Sequence, residues 1–171
     1  MTALKPMKTP MRILLDADEK GEPFDITLYR SMVGSLVYLT VSRQDITLAV
    51  TVCAHFQSNP KKSHSKAVVR IFQCLQGTPN LRIWYPHGYD FNLKAYTDVD
   101  HGGCHVDRKS TSRSIQMLGS RQVGWLSKKQ NCVSLSRAES EYIVAAHYCS
   151  QVLWMQTKLL NYGFKITKTP I

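Results

Sequence analysis

The chain has 171 residues, of which 43% are hydrophobic, so it suits an ordinary globular domain and is too apolar for a disordered tail. No apolar run approaches the roughly 18 residues of a membrane-spanning helix, so a membrane role is not expected. The net charge of +10 favours an anionic partner instead. The five cysteines lack C-x-x-C spacing and predict free thiols in a reducing, intracellular compartment.

Residues 1–27 are rich in proline, glycine, aspartate and lysine and predict an irregular lead-in. The start, MTALKPMKTPMRILL, has two prolines and no apolar core, so it is not a secretory signal. We expect a cytoplasmic or nuclear location. Mitochondrial targeting stays an alternative, because this start is basic and free of acids.

Residues 28–80 predict an α-helical segment. Apolar side chains recur at helical spacing from Leu28 to Phe56, with a break near Ser42 to Asp45. Asp45 is expected to cap the second helix of this stretch. A further helix is predicted from about Lys61 to Leu75.

The hydrophobic period changes in residues 81–171. LRIWY at 81–85 and FNLKAYTD at 91–98 alternate apolar and polar side chains, as strands do. SIQML at 114–118 and QVGWLS at 122–127 flank a glycine and a serine, which predicts a hairpin.

A final helix is predicted from the S-x-x-E pattern that begins at Ser136. The Ser136 hydroxyl should accept from a free amide, and Glu139 should reach back to another one. Apolar residues then recur at a spacing of about 3.6 until Gly163 ends the helix. The element order therefore predicts an α/β chain of the α+β type, in which helices precede an antiparallel three-stranded sheet and one helix.

Three linked motifs carry a family resemblance: AYTDVDHGG, DRKSTSRSIQMLG and VGWLSKKQNCVSLSRAESEYIVAA. Together they resemble the ribonuclease H domain of copia-type retrotransposon polyproteins. The upstream stretches LYRSMVGSLVYLTVSRQDI and NPKKSHSKAVVRIFQCLQGTPNL resemble the segment between polymerase and ribonuclease H in the same polyproteins. The resemblance implies an incomplete ribonuclease H-like fold at 81–171, after a connection segment at 28–80.

The resemblance also implies a reaction, the Mg²⁺-dependent hydrolysis of RNA in RNA–DNA hybrids. Asp98 matches the first catalytic aspartate and Glu141 the catalytic glutamate, so both are expected to be catalytic and to bind metal. Carboxylate oxygens suit a hard cation, and two such ions can bracket the attacking and leaving oxygens. Glu139 is expected to serve the helix cap. Asp100 is expected to form a turn or an outer contact.

The family's third catalytic aspartate has no counterpart before Ile171. The isolated chain is therefore expected to be catalytically incomplete and inactive alone, with the Asp98 strand left as an uncovered sheet edge. The polymerase motif Y-x-D-D does not occur in the sequence, so polymerase activity is not expected. The rest of a polyprotein is an expected partner.

Three arginines depart from the family pattern. Arg113 stands where the family has glycine, in a turn expected to need positive φ. Arg137 replaces a small residue in the capping sequence, and Arg82 replaces a glycine.

Basic residues are clustered along the chain. Residues 58–82 contain five lysines and arginines and no acid, and residues 105–137 contain seven against a single acid, Asp107. Such clusters suit a polyphosphate partner, here an RNA–DNA hybrid or another nucleic acid. The expected contact residues are Arg108, Lys109, Ser110, Lys128, Lys129 and Gln130. A non-catalytic nucleic-acid-binding module and a decayed relic product stay as alternatives to the enzyme.

Overall fold

The computed structural model describes residues 5–11, 15–88, 91–104, 107–166 and 168–170. It divides the chain into two compact units, Met1–Ile83 and Trp84–Ile171. The α+β class is confirmed, with helices ahead of one antiparallel three-stranded sheet. The helices are α1 (Ile26–Leu39), a 3₁₀ turn (Gln44–Ile46), α2 (Thr47–Ala54), α3 (Lys62–Gly77) and α4 (Arg137–Asn161), and the strands are β1 (Leu93–Asp100), β2 (Thr111–Leu118) and β3 (Arg121–Lys129).

The first unit is built around one apolar core. On α1, Tyr29, Val33 and Leu36 recur at the spacing of one helix face, and all three are buried. The Tyr29 hydroxyl donates to the Cys53 carbonyl at 2.8 Å, which satisfies its polar atom inside the core. The other buried members come from the 3₁₀ turn, α2 and α3: Ile46, Ala49, Val50, Cys53, Val68 and Ile71.

The break after α1 lies where the sequence predicted it, but the prediction that Asp45 caps the next helix is wrong. The residue before α2 is Ile46, which makes no side-chain cap bond. Asp45 instead accepts from Nε and Nη2 of Arg43, each at 2.8 Å. Two charge-assisted bonds to one guanidinium outweigh a single cap bond. They also lower the pKa of the Asp45 carboxyl.

The third predicted helix is confirmed as α3, and a buried histidine fixes its start. His64 Nδ1 accepts from the Lys61 amide at 3.1 Å, so the proton lies on Nε2, which faces the Asp16 carbonyl at 2.8 Å. The ring also stacks on Phe56, with the centroids 4.1 Å apart. The lead-in at Asp16 is thereby attached to α3.

The second unit contains the sheet, in the order β1-β2-β3. The hairpin between β2 and β3 is confirmed, and Gly119 has the positive φ of 63° that its tight turn requires. The strand predicted at LRIWY, 81–85, is wrong, because these residues are irregular. Alternation alone does not make a strand, which needs a neighbour for its backbone ladder.

Helix α4 begins and ends at the predicted signals. The Ser136 hydroxyl accepts from the Glu139 amide at 3.1 Å, and Gly163, with φ of 85°, follows the last turn. Glu139 reaches back to the amide of Leu135 at 2.6 Å rather than to that of Ser136. The capping box is thus formed with a shift of one residue on its acidic side.

The C-terminal segment returns to the outer side of β1. The Ala95 amide donates to the Pro170 carbonyl at 3.2 Å, and Phe164 stacks on Phe91 with the ring centroids 4.4 Å apart. Ile166 packs on the core of this unit. The β1 edge, expected to be uncovered, is therefore covered at Ala95. Within the described residues, none of the helices combines the length and apolar character needed to cross a membrane.

Candidate functional site

The two faces of the sheet have different neighbours. Leu93 and Ala95 are buried against Tyr148 and Val152 of α4. Side chains alternate along a strand, so Asp98, three residues after Ala95, lies on the opposite face. Asp100 shares that face. The two strand-end carboxylates therefore point away from the helix that carries Glu141.

Arg113 reaches both of these carboxylates. In the β1–β2 register it pairs with Asp98. Its Nη1 lies 3.3 Å from Asp98 Oδ2, and its Nη2 lies 3.6 Å from Asp100 Oδ2. The expectation that Arg113 lies in a turn of positive φ is wrong, because it lies within β2, whereas Arg108, in the preceding connection, has a φ of 56°. The register across a long connection could not be read from the sequence, so this contact was missed.

Glu141 is the fifth residue of α4, one turn in from its start, and also has an arginine partner. Arg137 Nε donates to Glu141 Oε1 at 3.0 Å, and both side chains are exposed. Such i,i+4 pairs are weak at a surface. Arg137 replaces a small residue of the family pattern. Its side chain therefore places a positive charge beside the predicted catalytic glutamate.

The predicted site residues meet at one end of the sheet. Asp100 pairs with Thr111, and Thr111 pairs with Lys129, so the end of β1, the start of β2 and the end of β3 coincide. Gln130 then donates to the Ser140 carbonyl at 3.1 Å, which brings the first turn of α4 to the same end. Asp98 and Glu141 thus share an end of the sheet but not a face.

A charged pair attaches Asp107, in the connection between β1 and β2, to the end of β3. Lys129 Nζ lies 2.7 Å from Asp107 Oδ2 and donates to Cys104 Sγ at 3.1 Å. Burial alone would raise the pKa of Asp107, but hydrogen bonds from Lys129, the Cys104 thiol and the Lys109 amide outweigh it and lower the pKa to about 2. Burial alone would lower the pKa of Lys129, but its hydrogen bonds with Asp107 and Cys104 outweigh this effect and raise it.

Two of the expected nucleic-acid contacts lie inside the unit. The Ser110 side chain is fully buried and accepts from the Gly102 amide at 3.1 Å. Gln130 is 6% exposed, donates to Ser112 Oγ and the Ser140 carbonyl, and accepts from Ser134 Oγ, each at 3.1 Å. The Ser110 side chain bonds within the connection and that of Gln130 joins β2 to the start of α4, so neither presents its polar group as a surface contact.

The remaining basic residues differ in their availability. Arg108 and Lys128 are exposed, and Lys109 is half-buried. Lys128 lies on the face toward α4, beside a cavity of about 130 Å³ that Ser112, Asn131 and His147 also line. Lys129 is already paired with Asp107. Among the described lysines and arginines at this end of the sheet, Arg108, Lys109 and Lys128 are accessible and have no acidic partner, whereas Arg113 and Arg137 are paired with acids.

As placed, the carboxylates do not fit a divalent ion. Their oxygens are of the kind that Mg²⁺ prefers, but Asp98 and Asp100 already face one guanidinium and Glu141 faces another. In the described ranges, no three side chains from His, Cys, Asp and Glu gather in a possible metal site. The structure groups these carboxylates with arginines.

Several known proteins are similar to the chain, and retrovirus-related Pol polyproteins are among them. Over its whole length the chain is 37% identical to the retrovirus-related Pol polyprotein from transposon RE1 of Arabidopsis thaliana, and it covers 12% of that protein. Over 95% of its length it is 36% identical to the corresponding polyprotein from transposon TNT 1-94 of Nicotiana tabacum, covering 13% of it. Over 76% of its length it is 34% identical to secreted RxLR effector protein 161 of Plasmopara viticola, covering 92% of that shorter protein.

No family model and no solved structure matches the chain. The chain spans about an eighth of the length of the polyproteins that it matches. These two polyproteins match 100% and 95% of the chain at more than a third identity, and their names agree with the motifs in its second unit. The chain belongs to the retrovirus-related Pol polyproteins of copia-type transposons, as a fragment of such a polyprotein.

Proposed function

We propose that the second unit is the ribonuclease H-type region of the polyprotein and that it binds an RNA–DNA hybrid without hydrolysing it. The observation that carries this proposal is the strand register. Since Thr111 pairs with Lys129, the basic pairs at 108–109 and 128–129 lie at one end of the sheet. Positive charge gathered at one place gains affinity for a phosphate backbone by releasing the counterions of that backbone.

The proposed interface consists of Arg108, Lys109 and Lys128. Within the described part of the chain, these three basic side chains have no acidic partner, whereas Lys129 is paired with Asp107. Contacts of this kind position a duplex and carry no sequence preference of their own. The binding is therefore expected to be strongly salt-dependent and independent of base sequence.

Fluorescence anisotropy with an end-labelled RNA–DNA hybrid tests the interface over a range of salt concentrations. Replacing Arg108, Lys109 and Lys128 by alanine together should lower the slope of log affinity against log salt by about one for each cation. The matched control replaces Lys158, Lys165 and Lys168, at the other end of α4 and beyond it, and should keep the wild-type slope. An equal decrease of the salt slope in both triple variants would overturn this interface.

Hydrolysis of the hybrid is the second candidate, and one observation favours it. Asp98 and Glu141, which match the family's catalytic carboxylates, both lie at the end of the sheet where the basic residues gather. A gel assay with labelled hybrid and Mg²⁺ decides between the two. The binding proposal predicts no Mg²⁺-dependent cleavage and an affinity that survives Asp98→Asn and Glu141→Gln. Cleavage that Asp98→Asn abolishes would establish the enzyme instead.

A further inference from the structure

The arginine between Asp98 and Asp100 occupies the position of a cation. Its two terminal nitrogens face two different carboxylates, one at 3.3 Å and one at 3.6 Å. Asp98, Asp100 and Arg113 all lie on the face of the sheet away from α4. A single guanidinium therefore serves both carboxylates, as a bound ion would.

The side chain of Arg113 is held by its place in the sheet. Arg113 lies on the central strand, paired with Asp98 on one side and with Ser127 on the other. Its side chain is 38% exposed, less than that of Asp98 at 67%. Because the aliphatic part of the Arg113 side chain packs on the sheet, its guanidinium lies along the sheet toward β1.

This arrangement competes directly with a divalent ion. A dication bound to the same Oδ2 atoms would lie within a few ångströms of the guanidinium and be repelled by it. It would also have to displace the contacts that these oxygens already make. The carboxylates of Asp98 and Asp100 suit a metal, but their surroundings do not. A single residue, Arg113, causes this mismatch.

We propose that Arg113 is a resident counter-ion of the Asp98–Asp100 pair, in place of a divalent metal, and that its charge keeps this pair from binding one. The guanidinium then balances part of the charge of this carboxylate pair in the free chain. The proposal does not depend on nucleic-acid binding, because it concerns the affinity of the free chain for metal.

Titration of the full chain with Mn²⁺, followed by the electron paramagnetic resonance signal of the free ion, tests this role. Arg113→Gln removes the charge and keeps a polar side chain, and it should raise the Mn²⁺ affinity at least about tenfold over wild type. Arg113→Lys keeps the charge and should stay near wild type. Lys158→Gln makes the same change in net charge in the last turn of α4, at the other end of that helix from the carboxylates, and should also stay near wild type.

Adding Asp98→Asn to Arg113→Gln should abolish the gain in affinity. An Arg113→Gln protein that binds Mn²⁺ no better than wild type would overturn the proposal. If that variant does not fold, as judged by circular dichroism, the wild-type chain gives the answer by nuclear magnetic resonance. Mn²⁺ should then leave the amide signals of Asp98 and Asp100 no broader than the average, and selective broadening of these two would equally overturn the proposal.

Discussion

Lys129 at the end of β3 and Asp107 in the β1–β2 connection form an ion pair of 2.7 Å that attaches this connection to the sheet. The pair shapes the region where Arg108 and Lys109 project. Against the effect of burial, the hydrogen bonds of Asp107 lower the pKa of its carboxyl to about 2. Residues 107–109 are therefore held against β3 by their own acid before any partner binds.

Replacing Asp107 by asparagine should lower the free energy of unfolding of the second unit by about 1 kcal/mol at neutral pH. The folded pKa of Asp107 is below its unfolded value of about 4, so the carboxylate stabilises the unit above pH 4. That contribution is lost as the pH falls through about 2. The wild-type and variant stabilities should therefore converge in acid.

Urea unfolding followed by tryptophan fluorescence measures this difference, because Trp84, Trp125 and Trp154 all lie in the second unit. Glu141→Gln removes a carboxylate from an exposed pair and serves as the control, with little expected effect. A difference between wild type and Asp107→Asn that persists unchanged at pH 2 would contradict the assignment.

Gln130 should be far more sensitive to substitution than its neighbour in the sequence. Gln130→Leu leaves Ser112 Oγ, Ser134 Oγ and the Ser140 carbonyl without this partner, so a loss of about 2–3 kcal/mol is expected. Asn131→Leu, at an exposed position, should change stability by less than about 0.5 kcal/mol. Similar effects of the two changes in urea unfolding would show that the buried bonds contribute little.

The start of α4 should depend on the Ser136 hydroxyl. Ser136→Ala removes the acceptor of the Glu139 amide and should cost about 1 kcal/mol, whereas Ser136→Asp should restore most of it. Ser150→Ala, in the middle of α4, is the matched control, because its hydroxyl bonds a carbonyl of its own helix. Thermal melting followed at the helical circular dichroism band gives the comparison, and equal losses at the two serines would argue against the cap.

In the first unit, Arg43 connects the 3₁₀ turn to the residue after α3. It bonds both oxygens of Asp45, and the carbonyl and hydroxyl of Thr78 at 3.2 and 2.7 Å. Arg43→Met should destabilise this unit by about 2 kcal/mol, because four bonds are lost and the Asp45 charge stays half-buried. Arg30→Met removes a single exposed bond to the Gln57 carbonyl and is the control. Hydrogen exchange of the α3 amides measures both, and equal protection in the two variants would refute the bridging role.

Local signals in the sequence predicted much of the fold. The pattern S-x-x-E located the start of α4, and the glycine of the β2–β3 turn located the hairpin, because a cap and a tight turn depend on residues a few positions apart. LRIWY failed because its alternation has no partner strand, and the residues there are irregular. A local pattern of alternating side chains does not show whether a second strand lies beside it to pair with.

The site was less predictable than the fold, because its contacts join distant parts of the chain. Asp98 could be selected by its position at a strand end, but its contact with Arg113 depends on a register set across residues 101–110. Composition likewise selected Ser110 and Gln130 as surface contacts, whereas both are buried. A polar residue in a basic stretch is ambiguous between the surface and a buried hydrogen bond, and only the packing resolves it.

The bond between the Ala95 amide and the Pro170 carbonyl has a consequence for the solubility of the chain. An open strand edge is a template on which other chains can add strands and aggregate. Proline accepts at its carbonyl but has no amide to donate back to β1, so the pairing at this residue cannot extend into a regular ladder. The segment at Pro170 thus covers β1 at Ala95 without adding a regular strand there whose edge could recruit a neighbouring molecule.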